Sequence, residues 1–386
     1  MARPFNMGDA SYLDNAATSF PKPEAVYQRI DHVLRRIGGN PGRASHALAM
    51  EAARVVFNAR ETIAKLLGGP DSSRIIFTKN TTEAINLGLK GVLKRGGHVI
   101  TSAFEHNSIV KTLEAISRLM PDMEITRLKP NADWIIDPRA VEAAIRKDTV
   151  LVVITHASNV FGTIQPVSEI GAVCRRRGVL FMIDAAQTAG AYPIDVKAMN
   201  VDLLAAAGHK SLFGPQGTGV LYVREGMEID PLINGGTGEL DAALPMPERL
   251  ESGTLNTPGI AGLGAGAQFI VAEGIEKIRA HETKLVASII NGLAGIKGIR
   301  IIGSVDASKR ASLVSFTIDG TPADDVGRRL NDEFSIMVRT GTHCANEAHK
   351  QCGTWPDGAI RVSPGYFNTA EEIERFLEAI AAIEGT

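Results

Sequence analysis

Lys210 follows the apolar run Val201-Asp202-Leu203-Leu204-Ala205 and precedes the loop Gly214-Pro215-Gln216-Gly217. A lysine leaving a buried strand can meet an anion or form a Schiff base with a carbonyl compound. Alone it reads as an ordinary loop lysine. Asp184 ends another apolar run, Val179–Ile183. An ionised carboxylate at a strand end suits a pyridine-type ring nitrogen, which it keeps protonated so that the ring becomes an electron sink. Alone it reads as a helix N-cap. Gln187, three residues on, can offer an amide hydrogen bond to a phenolic oxygen on such a ring.

Asn80-Thr81-Thr82-Glu83 follows a third apolar run and opens a helical pattern. Two hydroxyls and free N–H groups at a helix start make a phosphate site. The same residues also fit a capping box, and both roles can hold together. His106 follows a fourth run and can stack on a flat ring. Asn159 follows a fifth, within Ser158-Asn159-Val160-Phe161-Gly162-Thr163, and Ser252–Thr257 is a hydroxyl-rich loop. Arg361 ends a strand-like segment and can clamp a carboxylate with its fork of N–H donors. In isolation it reads as a surface ion pair.

Stepping from 73 to 223, short apolar runs alternate with amphipathic stretches. Residues 75–78, 98–101, 151–155, 179–183 and 201–205 are expected strands, and 80–94, 107–119, 138–146 and 166–177 are expected helices. That alternation gives an α/β fold with a mostly parallel sheet covered on both faces. Residues 218–223 form a further strand after a loop too short for a helical crossover, so it is expected to be antiparallel. Ligands sit at the carboxyl ends of strands in such sheets, where all these polar groups fall. After Gly259 the pattern becomes one long small-residue helix over 259–293. Strands at 299–303, 312–318, near 336–340 and 359–363 follow, with helices at 322–333 and 369–383. The expected domains are 21–258 and a smaller α+β unit of 1–20 with 259–386.

The 386 residues are 44% hydrophobic and 22% charged with net charge −2, which argues against a nucleic-acid surface. No apolar run is long enough to span a membrane or to read as a signal peptide, so a cytoplasmic protein without membrane partners is expected. Three cysteines, Cys174, Cys344 and Cys352, argue against a disulfide scaffold. His343 and His349 lie near two of them, but the spacing fits no zinc pattern and no metal is expected.

At this point the chain resembles the class V, fold-type I pyridoxal phosphate (PLP) enzymes, within them the cysteine desulfurase and selenocysteine lyase group. The resemblance runs from Tyr12-Leu13-Asp14-Asn15-Ala16-Ala17-Thr18 to Arg361-Val362-Ser363. Its most specific pieces are Asp184 with Gln187, His209-Lys210, and Arg339-Thr340-Gly341-Thr342-His343-Cys344-Ala345, which is similar to the short cysteine loop of group II desulfurases. It implies a large domain with a seven-stranded sheet. It also implies that Lys210 holds the cofactor and then acts as acid and base. Asp184 would bind the pyridine nitrogen, His106 stack on the ring, and Gln187 reach the phenolic oxygen. Thr81, Thr82 and His209 would bind the phosphate, and Thr254 the phosphate of the other subunit in a homodimer. Asn159, Arg361 and the backbone around Ala16-Ala17 would place the substrate carboxylate, with Arg339 beside Cys344. One departure is Ala207, where many group II relatives carry a serine as a further phosphate ligand; the lost hydroxyl is worth about 1 kcal/mol.

The implied activity removes sulfur from L-cysteine, leaving alanine and a persulfide on Cys344 that an acceptor protein unloads, for example in iron–sulfur cluster assembly. Selenocysteine or cysteine-sulfinate lyase activity, another C–S lyase or an aminotransferase would share the cofactor residues and differ in the need for Cys344. A sulfur-carrying scaffold without catalysis is disfavoured by the retention of Lys210 and Asp184. Cys352 matches no catalytic position of the family but, in a glycine-flanked loop, is a candidate second thiol.

Overall fold

In the computed structural model, which describes residues 10–42, 45–94, 96–236 and 244–384, the apolar runs become the strands of one seven-stranded sheet. In chain order these are β2 (Ile75–Thr78), β3 (Gly97–Ser102), β4 (Met123–Leu128), β5 (Thr149–Thr155), β6 (Leu180–Asp184), β7 (Leu203–Ala207) and β8 (Gly219–Val223). The spatial order is β2-β8-β7-β6-β5-β3-β4. Neighbours are parallel except around β8, which runs antiparallel to both β2 and β7. That antiparallel strand is the expected one. The edge strand β4 was not expected: Met123 is its only buried residue, so it lacks the apolar run that marks the central strands.

The helices between the strands are α3 (Thr81–Val92), α4 (Asn107–Leu119), α5 (Pro138–Ala144) and α6 (Val167–Arg177). Each buries one stripe, such as Ile109, Leu113 and Ile116 on α4, against the sheet. Before the sheet come α1 (Glu24–His32), continued by a π-helical turn over Val33–Ile37, and α2 (Ala47–Leu66). Gly219 brings β8 hard against the start of α3. A Cβ there would lie 2.5 Å from the carbonyl carbon of Asn80.

The helix expected over 259–293 is two helices, α7 (Thr257–Glu273) and α8 (Ile275–Ala294). The break falls at Gly274, whose φ of +86° is left-handed and outside helical space. α7 packs on α1 and α2, its small residues allowing close approach: a Cβ at Gly264 would sit 2.8 Å from that of Ala59. α8 instead joins the core of the C-terminal region through Leu285, Ile289 and Leu293.

That region holds a four-stranded antiparallel sheet of order β12-β13-β10-β9, from β9 (Ile299–Ile302), β10 (Val314–Ile318), β12 (Arg339–Gly341) and β13 (Ala359–Val362). Helices α9 (Ala323–Phe334) and α11 (Ala370–Glu384) cover it, and α10 (Asn346–Cys352) follows β12. β1 (Ser11–Tyr12) pairs in parallel with β11 (Ile336–Met337), and Leu13 is fully buried in the same core. Of the N-terminal segment expected beside this unit, residues 1–9 lie outside the described residues. Among the described residues no helix is long and apolar enough to cross a membrane.

Candidate active site

A cavity of about 220 Å³ opens at the carboxyl ends of β5, β6 and β7. Its lining gathers twelve of the thirteen residues singled out from the sequence. Lys210 stands in the turn after β7, half-buried, and Asp184 is the last residue of β6. Burial pushes the Lys210 ammonium down to about 8, with Arg361 adding to the shift. Burial raises the Asp184 carboxyl, while the Ala186 N–H, donating to Oδ1 at 2.9 Å, and Lys210 oppose it. An amine that readily loses its proton thus shares a cavity with a carboxylate that has one backbone donor.

At another side of the cavity α3 begins. Asn80 Oδ1 caps it by accepting from the Glu83 N–H at 2.9 Å. The backbone N–H groups of Thr81 and Thr82 have no partner among the described residues. The cap and the free donors therefore coexist, as the sequence allowed. His209 lies next to Lys210 with a buried Nδ1 that has no partner, and burial pushes its imidazole down to about 4. Free donors at a helix start are an anion site.

His106 caps α4, its Nδ1 accepting from the Ser108 N–H at 3.1 Å. That bond places any ring proton on Nε2. Burial, Lys210 and the arginines hold the imidazole near 4, so a neutral ring lines the cavity. Gln187 donates from Nε2 to Ala16 O at 3.1 Å, tying the lining to the N-terminal segment. Ala17 also lines the cavity, although the N–H groups of Ala16 and Ala17 are donated to Ser363 Oγ and Asp14 O.

Arg361 on β13 is directly opposite Arg339 on β12 in the antiparallel register. Arg361 is buried; it donates from Nη2 to Asp14 Oδ1 at 3.0 Å and from Nη1 to Asn159 O at 3.1 Å, and its Nε has no partner. The expected two-pronged clamp is therefore partly engaged by Asp14 already. Asp14 gave no signal of its own in the sequence beyond its place next to Ala16-Ala17. Two guanidinium groups at one end of a cavity still make a carboxylate site.

Cys344 is exposed at the cavity rim on a tight turn. His343 and Cys344 both take positive φ, 51° and 57°. Two consecutive non-glycine residues in that region cost roughly 1–3 kcal/mol each and persist where neighbours hold them. Asn159 Nδ2 holds the His343 carbonyl at 2.6 Å, and the Asn107 N–H holds the Cys344 carbonyl at 2.8 Å.

Thr254 stands apart. It is exposed, in a loop beside a groove bordered by Phe57, Met246 and Leu255, and does not line the cavity. Cys352 is not on the lining either. It is buried at the end of α10, with Sγ 3.1 Å from Thr354 Oγ1. A role as an accessible second thiol has no support in that placement. Cys174 is buried on α6, its thiol pushed up to about 12 by burial, and packs in the core under the sheet. Sequence reasoning missed Glu105, which is fully buried behind the cavity. Its Oε1 accepts from Ser102 Oγ and the Thr155 N–H, and its carboxyl is pushed up to about 8 by burial. Position beside His106 was the only sign of it.

A family model described as aminotransferase class-V matches residues 11–376. A probable cysteine desulfurase of Methanothermobacter thermautotrophicus is 34% identical over 98% of this chain and 95% of its own length. Cysteine desulfurase IscS of Methanosarcina thermophila is 33% identical over 97% and 92%. Among solved structures, the apo cysteine desulfurase of Thermococcus onnurineus NA1 superposes with a TM-score of 0.91 at 34% identity, covering 97% of this chain and 95% of that one. The cysteine desulfurase CsdA of Escherichia coli gives 0.88 at 28% identity, covering 98% and 96%.

Proposed function

The chain belongs to the class-V aminotransferase family and is a cysteine desulfurase, and from that premise we propose how its own residues carry the reaction. The observation that bears most weight is the shared cavity: Cys344 stands on its rim while Lys210 and Asp184 line its floor.

The residues fit pyridoxal phosphate. The unpartnered N–H groups of Thr81 and Thr82 and the orphaned His209 Nδ1 suit its phosphate. The Asp184 carboxylate suits its ring nitrogen, the flat neutral His106 its face, and the Lys210 amine its aldehyde. Gln187 keeps one amide N–H for the phenolic oxygen. When bound, the cofactor supplies an electron sink next to the substrate α-carbon.

The remaining steps belong to the chain. Arg361 and Arg339 hold the carboxylate of L-cysteine, and Asn159 and the Ala17 segment close that end. Lys210 Nζ, with its depressed pKa, takes and returns protons at the substrate carbon. Cys344 Sγ, as thiolate, attacks the substrate sulfur. The C–S pair stays with carbon, which leaves as alanine after protonation, and the sulfur remains on Cys344 as a persulfide. An acceptor protein then takes that sulfur, for example toward iron–sulfur clusters.

We further propose a cytoplasmic homodimer, in which Thr254 completes the phosphate site of the partner subunit. The division into a large domain of 21–258 and a smaller one of 1–20 with 259–386 is part of the same reading.

Exposure to L-cysteine followed by peptide mass mapping tests the function. A sulfur adduct on the Cys344 peptide, with alanine formed in step, is the expected result. Alanine with elemental sulfur, or pyruvate with ammonia and sulfide, formed at full rate with no adduct would favour a direct C–S lyase.

A further inference from the structure

The carbonyl of His209, in the peptide bond that leads into Lys210, faces donors from one short segment. It accepts from the Ser19 N–H at 3.0 Å, Thr18 Oγ1 at 3.1 Å, Ser19 Oγ at 3.2 Å and Lys22 Nζ at 3.3 Å. Lys22 Nζ also donates to Ser19 Oγ at 2.9 Å and to Ser19 O at 3.1 Å. An ammonium has three N–H donors, and these three oxygens take them all. None of the three is a carboxylate, and burial pushes Lys22 down to about 8. Lys277 and Lys350, by contrast, pair with Glu273 and Glu347 on the surface. A lysine half-buried on neutral oxygens has given up hydration without an ion pair in return.

The segment that supplies these donors also touches the rest of the cavity. Asp14 Oδ1 accepts from Arg361 Nη2, and Ala16 O accepts from Gln187 Nε2. Asn15 Nδ2 donates to Ser363 O at 3.2 Å and to Asn368 Oδ1 at 3.1 Å, which ties the segment to the C-terminal region. Residues 14–22 thus run as a strap from the carboxylate end of the cavity, past Gln187, to the turn that carries Lys210. That turn is joined to β8 by the Gly208 N–H, which donates to Thr218 O at 3.0 Å, and closed within itself by the Phe213 N–H, which donates to Lys210 O at 2.8 Å. The His209 carbonyl is where the strap meets it. A peptide unit is planar, so holding that oxygen holds the plane from which the Lys210 Cα departs. Among the donors on that oxygen Lys22 alone carries charge, and a charge-assisted hydrogen bond is roughly twice as strong as a neutral one.

We propose that Lys22 is a positioning residue for Lys210: its ammonium clamps the His209 carbonyl to the N-terminal strap and so sets the direction from which the Lys210 amine meets the cofactor aldehyde and the substrate carbon. The functional half of this rests on Lys210 as the cofactor-bearing lysine; the clamp itself does not.

Lys22→Met keeps the stem and removes the ammonium. Stopped-flow absorbance at one fixed pH should show pyridoxal phosphate attaching to the apo protein about tenfold more slowly, the size of one lost charge-assisted hydrogen bond. On the loaded protein kcat on L-cysteine should fall by a similar factor with KM within about threefold, since Arg361 and Arg339 are untouched. Amide hydrogen exchange of the apo protein should speed up over residues 209–213 and not in β6 or β8. Thr18→Val removes a neutral donor from the same carbonyl, with a smaller loss expected. Both changes act through one oxygen, so the loss in the double variant should differ from the product of the single losses. Wild-type attachment and exchange in Lys22→Met, losses that simply multiply, or faster exchange throughout the sheet would each overturn the proposal. If Lys22→Met does not fold, Thr18→Val and Ser19→Ala read the same carbonyl, and wild-type attachment in both would overturn it. Failure of the underlying reading looks different: Lys210→Ala would itself turn yellow with pyridoxal phosphate.

Discussion

Asn159 Nδ2 donates to the carbonyl of His343 at 2.6 Å, joining the end of β5 to the turn that carries Cys344. The backbone carbonyl of the same asparagine accepts from Arg361. One residue thus links the sulfur-accepting turn to the carboxylate site. The turn needs such a hold, because His343 and Cys344 both sit at positive φ.

Asn159→Ala removes the side-chain link and leaves the carbonyl for Arg361. A lost buried hydrogen bond of about 1–3 kcal/mol corresponds to a roughly ten- to hundredfold fall in kcat. The yellow colour of the bound cofactor should persist, since Lys210 and Asp184 are untouched. Alanine formation and absorbance spectra check both. Activity within about twofold of wild type would mean that the turn is held by other bonds.

Lys210 makes cofactor uptake pH-dependent. Only the neutral amine attacks an aldehyde, and the group titrates at about 8. Attachment of pyridoxal phosphate to the apo protein should rise about tenfold per pH unit up to that value and then level off. Stopped-flow absorbance from pH 6 to 10 measures it. A rate still climbing at pH 10 would show an ordinary lysine, and Lys210→Ala should stay colourless.

The sheet was legible because β5, β6 and β7 are buried on both faces and therefore read as unbroken apolar runs. The same logic hid β4, which lies at the edge with one buried residue. The break in the C-terminal helix was hidden because Gly274 follows a stretch already rich in glycine, including Gly262, Gly264 and Gly266, that packs as helix. At the site, residues that follow strands announced themselves by position. Asp14 and His349 did not, since what they do depends on partners some 347 and 6 residues away, Arg361 and His343. Thr354 showed no sign at all, because its hydrogen bond is to His349, a ring that itself was read only as a neighbour of a cysteine.

Glu105 gives a stability signature. Burial raises its carboxyl from the usual 4.5 to about 8, so the folded protein binds a proton that the unfolded chain gives up. The stabilisation is full below about 4.5 and is lost as pH rises toward 8. Glu105→Gln keeps an oxygen for Ser102 and the Thr155 N–H and removes the titration. Relative to wild type, the variant should gain on the order of a few kcal/mol between pH 5 and pH 8. Urea midpoints at both pH values decide it. Glu282 shifts the same way, so only the difference between the two proteins is diagnostic. A constant difference across that range would show Glu105 to be ionised in the fold.

Sulfur should be found on one thiol of three. Cys344 is exposed at the cavity rim, whereas Cys352 and Cys174 are buried. Cys344→Ala should keep the cofactor colour, because the residues suited to the ring and phosphate are elsewhere in the cavity. It should lose sulfur release from L-cysteine by orders of magnitude, as no other thiol lines the cavity among the described residues. Selenocysteine cleavage should suffer far less, because selenium leaves carbon more readily and does not need capture by a thiol. Cys174→Ala should leave activity unchanged, since that side chain only packs α6 against the sheet. Mass mapping of the wild-type protein after L-cysteine should place the adduct on the Cys344 peptide and not on the Cys352 peptide. An adduct on Cys352 would require α10 to open during turnover, because Cys352 Sγ is enclosed between His349 O and Thr354 Oγ1. That outcome would make the two thiols successive carriers of the same sulfur, and would replace a single acceptor with a relay.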